Sequence, residues 1–203
     1  MTMTIPYNFF QYLLRHDQCT PKLAAYARGR KAEDIEFAID GRDASIRRMV
    51  ASVRKEVHML RGFVRLTAYG AYASYGYLKP RHDVGELVAE LLARRYPHTV
   101  IILGNAYHSW MCLYGTEGVV QTEGPALASV LASLRDMLGC DSSPQSSEAL
   151  WEVYYRSQYR EKRRNLPYFR KSMTDTLRRS AHSIVESNTN GASTLDAYCS
   201  DDD

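Results

Sequence analysis

Hydrophobic positions along the chain change period several times, and each change marks an element. Ile46, Met49, Val50, Val53, Val57 and Leu60 recur at steps of three and four, which is the stripe of one long amphipathic helix. Asp43 stands where its N-cap is expected. After Gly62 the period drops to two. FVRLTAYG and AYASYGYL, divided by Gly70 and closed by Pro80, predict a tyrosine-rich β-hairpin. Asp83 and Glu86 have the spacing of a capping box for a helix over 84–96, which Pro97 stops. TVIIL is an uninterrupted apolar run, the mark of a strand buried on both faces. YHSWMCLY and VVQTE follow as strands joined by Gly-Thr-Glu-Gly, and 126–138 reads as another helix.

The N-terminal third is choppier. Residues 6–15 and 21–28 predict two short helices, and DIEFAID, with Ile35, Phe37 and Ile39 alternating, predicts a short strand, with helix as the alternative. Helices are expected over 147–164 and from Pro167 to about 186. The fold class expected is α+β: a small antiparallel or mixed sheet of about five strands flanked by helices, with a basic helical C-terminal part. Residues 1–187 read as one domain and 188–203 as a disordered acidic tail.

Composition narrows this little. A chain of 203 residues with 45% hydrophobic and 24% charged residues is ordinary for a soluble globular domain. No run approaches the roughly 18 apolar residues of a membrane span. The N-terminal MTMTIPYNFFQYLLRH shows neither a basic leader nor a small-residue cleavage site, so a cytoplasmic location is expected. The four cysteines (Cys19, Cys112, Cys140, Cys199) form no CxxC pair and read as free thiols. His16-x-x-Cys19 and His108-x3-Cys112 lack the paired four-ligand spacing of structural zinc. No metal and no cofactor are therefore expected.

Charge changes the picture more. Residues 42–65 carry seven basic side chains against Asp43 and Glu56, and residues 156–179 carry nine against Glu161 and Asp175. Two basic blocks in a chain of net charge +3 mean that the remainder is acidic, so the positive field is local. Arg54, Lys55, Arg61, Arg65, Arg156, Arg160, Arg163 and Arg164 are the candidate nucleic-acid contacts. Guanidinium forks suit phosphate oxygens, and Arg156, Arg160, Arg163 and Arg164 line one side of their helix. His58 and His82 are candidate catalytic residues, with no partner in sequence that would make a nucleophile. Tyr69, Tyr75 and Tyr77 share parity, which favours packing in a core over stacking on bases.

EVHMLRGFVRL, YASYGYLKPRHDVGELVAELLARRYP, VIIL and ALWEVYYRSQYREKRRN together resemble a bacterial and archaeal family of unknown function described as SAM-linked DNA metabolism proteins. The likeness covers about residues 53–165 and is most specific over Glu56–Arg65. Where that family usually has Glu-Pro, this chain has Lys79-Pro80-Arg81-His82, and the family's C-terminal Met-Pro signature survives only as Met173-Thr174. The resemblance implies a role in DNA metabolism or repair beside a radical-SAM partner, and some members are joined to uracil-DNA-glycosylase-like domains. This chain lacks the CxxxCxxC triplet that would hold a radical-SAM cluster, and it has no P-loop, Rossmann glycine fingerprint or HExxH. The function expected is thus a nucleic-acid-binding accessory protein. The alternatives are an enzyme acting on a nucleobase or nucleotide, with His58, Arg61 and His82 in a pocket, and a protein–protein adaptor. Oligomeric state is left open.

Overall fold

The computed structural model describes residues 5–38 and 40–138, and the structural statements below concern these residues. The expected helices over 147–164 and 167–186, Arg156, Arg160, Arg163 and Arg164 within them, and the acidic tail lie outside them. Six helices and five strands are present: α1 (Phe9–Leu14), α2 (Pro21–Arg28), α3 (Ala32–Phe37), α4 (Gly41–Phe63), β1 (Thr67–Tyr69), β2 (Ala73–Tyr77), α5 (Gly85–Arg95), β3 (Val100–Gly104), β4 (Ser109–Gly115), β5 (Gly118–Gly124) and α6 (Leu127–Leu138). The fold is α+β.

The sheet runs β1-β2-β3-β4-β5 in sequence order. Its pairings are antiparallel except for β2 with β3, because α5 intervenes as the crossover that a parallel pair requires. Gly70 at φ 66° turns the β1–β2 hairpin and Gly118 at φ 110° turns β4 into β5, conformations that cost L side chains dearly. In β3, Ile101 and Leu103 enter the core shared with α4 and α5, while Ile102 faces Leu127 and Val130 of α6. Both faces are covered, which is why this strand reads as an unbroken apolar run.

The long helix α4 is the spine. Ile46 and Val50 pack with Ile5, Phe9, Leu13, Ala27 and Ile35 of the N-terminal segment, and Val53, Val57 and Leu60 pack with α5 and the sheet. One continuous stripe thus serves two cores.

Three local expectations are corrected. DIEFAID is helical at its start: burial falls on Ala32 and Ile35, three apart, while Phe37 is 70% exposed, so the alternation came from an apolar residue on the solvent side. Asp40, not Asp43, caps α4, its Oδ1 accepting the Arg42 N–H at 2.7 Å. Asp43 lies inside the first turn and is fully buried. It accepts from Tyr26 at 3.0 Å and is ion-paired with Arg30. Finally, Asp83 and Glu86 form no capping box. Val84 is the N-cap, without a side-chain bond, and Arg15 occupies both residues instead, donating to the Asp83 carbonyl and pairing with Glu86 at 3.0 Å.

Candidate functional site

Three segments distant in sequence close on one polar cluster. The turn after α1 supplies His16 and Asp17, the loop between β2 and α5 supplies Arg81 and His82, and the middle of α4 supplies Ser52 and Glu56, one helical turn apart. The Glu56 carboxylate accepts the backbone N–H groups of Arg81 at 2.7 Å and His82 at 3.0 Å. It thereby fixes the loop against α4, as a capping carboxylate fixes free N–H groups at a helix start. Replacing Glu56 with alanine is expected to cost about 2 kcal/mol, since two loop donors lose a charged acceptor. Glu56→Gln should recover part of this. Urea unfolding of the two variants checks it.

His16 and His82 are both buried, at 9% and 3% exposure, with ring centroids 4.3 Å apart and planes tilted by 33°. The Nδ1 atom of each lies 3.1 Å from Asp17 Oδ1. The Asp17 N–H points at His82 Nδ1, 3.3 Å away, and the Gln18 N–H at His16 Nδ1, 3.1 Å away. Ser52 Oγ is 3.0 Å from His82 Nε2, and Arg81 Nε donates to Asp17 Oδ2 at 3.1 Å. Burial, reinforced by the neighbouring His82, pushes the His16 pKa below its ordinary value. Burial works against the charge on Asp17, but the Arg81 hydrogen bond and nearby cationic groups outweigh it and hold this carboxyl below the usual range. The cluster therefore favours a neutral His16 beside an ionised Asp17.

The other sequence candidates sit elsewhere. Arg54, Lys55, His58, Arg61 and Arg65 are all exposed. Residues 54, 58 and 61 follow one another at steps of four and three and so share a stripe about 100° round the helix from the buried Val53, Val57 and Leu60. His58, two residues beyond Glu56, lies on a different side of α4 from the cluster, so the structure does not bring His58 and Arg61 together with His82. A cleft of about 150 Å³ between α5, β4 and β5 is lined by residues that include Glu86, Trp110, Cys112 and Gln121 and by none of these three candidates. Tyr69 is buried, its hydroxyl donating to the Leu131 carbonyl at 3.1 Å and its ring edge-on to Tyr75; Tyr72 is 77% exposed.

The sequence marks His82, sets Glu56 in the basic run with His58, Arg61 and Arg65, and sets His16 beside Cys19, but nothing in it shows that the three meet. His16 was weighed with Cys19, whose thiol instead contacts the Thr20 carbonyl. The partners that matter, Asp17 and His82, are 65 residues apart, and no spacing rule joins them.

A mixed five-stranded sheet, an outward cationic helix face and an inward histidine–carboxylate cluster define a small α+β protein built around one long helix. The chain belongs to the family described as domain of unknown function DUF4130, whose model matches residues 17–181. That span includes the cluster from Asp17 onward and both basic segments. Neither a curated protein nor a solved structure matches the chain.

Proposed function

We propose that this protein binds nucleic acid through the outward face of α4, as an accessory factor of DNA metabolism in the cytoplasm acting beside a radical-SAM partner. The partner and the pathway rest on the family resemblance. The observation that carries the binding surface is the placement of acids on α4. Neither of its two acidic residues stands on that face: Asp43 is buried against Arg30, and the half-buried Glu56 is held on the Arg81–His82 loop. Arg42 and Arg47 pair with Asp40 and Glu36. Arg48, Arg54, Lys55, His58 and Arg61 are exposed along α4, and Arg65 is exposed just past its end. A solvated helix face usually mixes both signs; this one presents a single sign, the requirement for gripping a polyanion. No helix of the described residues is long and apolar enough to cross a membrane, and a membrane partner forms no part of the reading.

Binding of a fluorescein-labelled duplex and of its single strand, followed by anisotropy across a salt series, tests this. Log affinity should fall linearly with log salt, by about 0.9 per phosphate contacted on duplex DNA. Lys55→Ala with Arg61→Ala should lower that slope by about two and weaken binding alike for all sequences. Affinity flat with salt, or unchanged in the double variant, would overturn the reading. Binding that survives both but is lost when a co-purifying protein is removed would favour the adaptor alternative.

A further inference from the structure

We propose that His16, Asp17 and His82 form a site for a divalent transition-metal ion of the zinc class, with the imidazoles ligating through Nδ1 and Asp17 through its carboxylate. The proposal is independent of the α4 surface. It rests on a hydrogen-bond conflict that protons alone do not resolve. The Asp17 and Gln18 N–H groups donate to the two Nδ1 atoms, which makes both of these atoms acceptors. Asp17 Oδ1, also an acceptor, lies 3.1 Å from each. Three lone-pair-bearing atoms thus converge, all within 4.8 Å of one another. Protonating the Nδ1 atoms would satisfy Asp17 but turn each ring N–H against a backbone N–H. A cation between the three removes the lone-pair repulsion, at the cost of the two backbone N–H contacts, which give up the Nδ1 lone pairs to the ion.

The distances fit. Ligands about 2.0–2.1 Å from a tetrahedral ion stand about 3.3 Å from each other, close to the two 3.1 Å separations. The surroundings fit as well. Ser52 Oγ meets His82 Nε2 at 3.0 Å, so an Nε2–H donating there leaves Nδ1 free to ligate, as outer partners do for metal-bound histidine. Arg81 holds the other carboxylate oxygen, and Glu56 fixes the loop that carries His82. The two histidines are buried while the Asp17 side chain is 33% exposed, which gives the ion an entry from solvent and leaves a coordination position for water. Two imidazoles and one carboxylate suit zinc, cobalt or nickel better than calcium or magnesium.

Ser52, His82 and Asp17 also have the connectivity of an acid–base relay. That reading gives no role to His16, whose Nδ1 sits on the same Asp17 oxygen. The metal uses all four residues.

Chelator-treated full-length protein titrated with Co²⁺, read by visible absorption and by elemental analysis after desalting, tests the site. One saturable equivalent displaced by Zn²⁺ is expected. Asp17→Ala and His82→Ala should abolish it, Ser52→Ala should weaken it about 10–100-fold, and His98→Ala, altering an exposed histidine elsewhere, should leave it intact. Asp17 lies on a solvent-facing turn, so its variant decides the matter even if His82→Ala fails to fold. Absence of saturable binding, or equal affinity in Asp17→Ala, would overturn the proposal.

Discussion

Arg30→Ala is expected to destabilise the protein by about 3 kcal/mol, because it strands the Asp43 carboxylate without its counter-charge. Asp43 is fully buried, within the first turn of the helix that organises both cores. The Arg30 guanidinium reaches it from the end of α2, through Nε at 3.2 Å and through a second, shorter contact from Nη2. Tyr26 supplies one further donor, and the N-terminal end of the α4 dipole adds modest support. Neither replaces a full charge. The Arg30 side chain is 31% exposed, so water would enter the space it leaves, which sets the cost near the lower end for a broken buried pair. The Arg30 hydrogen bond holds the Asp43 carboxyl below its ordinary 3.8, against the opposing effect of burial. A folded pKa below the unfolded one means that the pair's contribution is complete above about pH 4 and is lost as the pH falls through the folded value. In Arg30→Ala the lone buried carboxyl would bind its proton more readily. The gap between the two proteins should therefore be wide at pH 7 and narrow on acidification. Urea denaturation at several pH values measures both; a gap independent of pH would mean that the loss comes from the Arg30 guanidinium lying over the Tyr26 ring rather than from its pairing with Asp43.

The same residues show what a sequence can and cannot disclose. The α4 stripe and the β3 run were readable because a buried surface imposes its period on the whole element, and several residues repeat one message. The β1–β2 and β4–β5 turns were readable because glycine takes the positive-φ conformations of Gly70 and Gly118 at least cost. The caps were not. Asp40 and Asp43 are equally good local candidates, and the choice was made by Arg30, which binds one of them from the turn between α2 and α3. Likewise Arg15, 68 residues from Asp83, disposes of a capping box that looks sound in isolation. The α3 segment reads first as a strand and only second as the helix it is, because three alternating positions are too few to separate the two periods. The polar cluster is the extreme case. Its members come from three segments, none carries a local signature, and only the fold gives them a common centre. Even so, the start of the stretch most specific to the family likeness, Glu56, and the loop where the chain departs from it, Lys79–His82, are the ones the structure joins by the Glu56 hydrogen bonds.

Gly85→Ala is expected to cost about 3 kcal/mol, roughly 10 °C in Tm for a domain of this size, reversing the usual benefit of alanine in a helix. Gly85 is the first residue of α5 and is buried against the face of Trp110 on β4. A Cβ there would overlap the fused atoms of the indole, which cannot swing aside like the tip of a flexible chain. Trp110 is 7% exposed, belongs to the central core and is flanked edge-on by His108, 4.8 Å away. Either the indole is driven off its position or the start of α5 lifts from the sheet, and both open a well-packed core. The second path reaches the polar cluster, because His82 is three residues upstream and Asp83 is tied to Arg15. Trp110 reports the choice. In a Trp151→Phe background it is the sole tryptophan, since the chain has two, and its emission should move to the red if the ring is expelled. Trp110→Leu combined with Gly85→Ala should cost less than the two changes summed, because the smaller side chain removes the overlap that makes the methyl harmful. Full additivity would mean that Gly85 is required for its backbone and not for the room it leaves the indole.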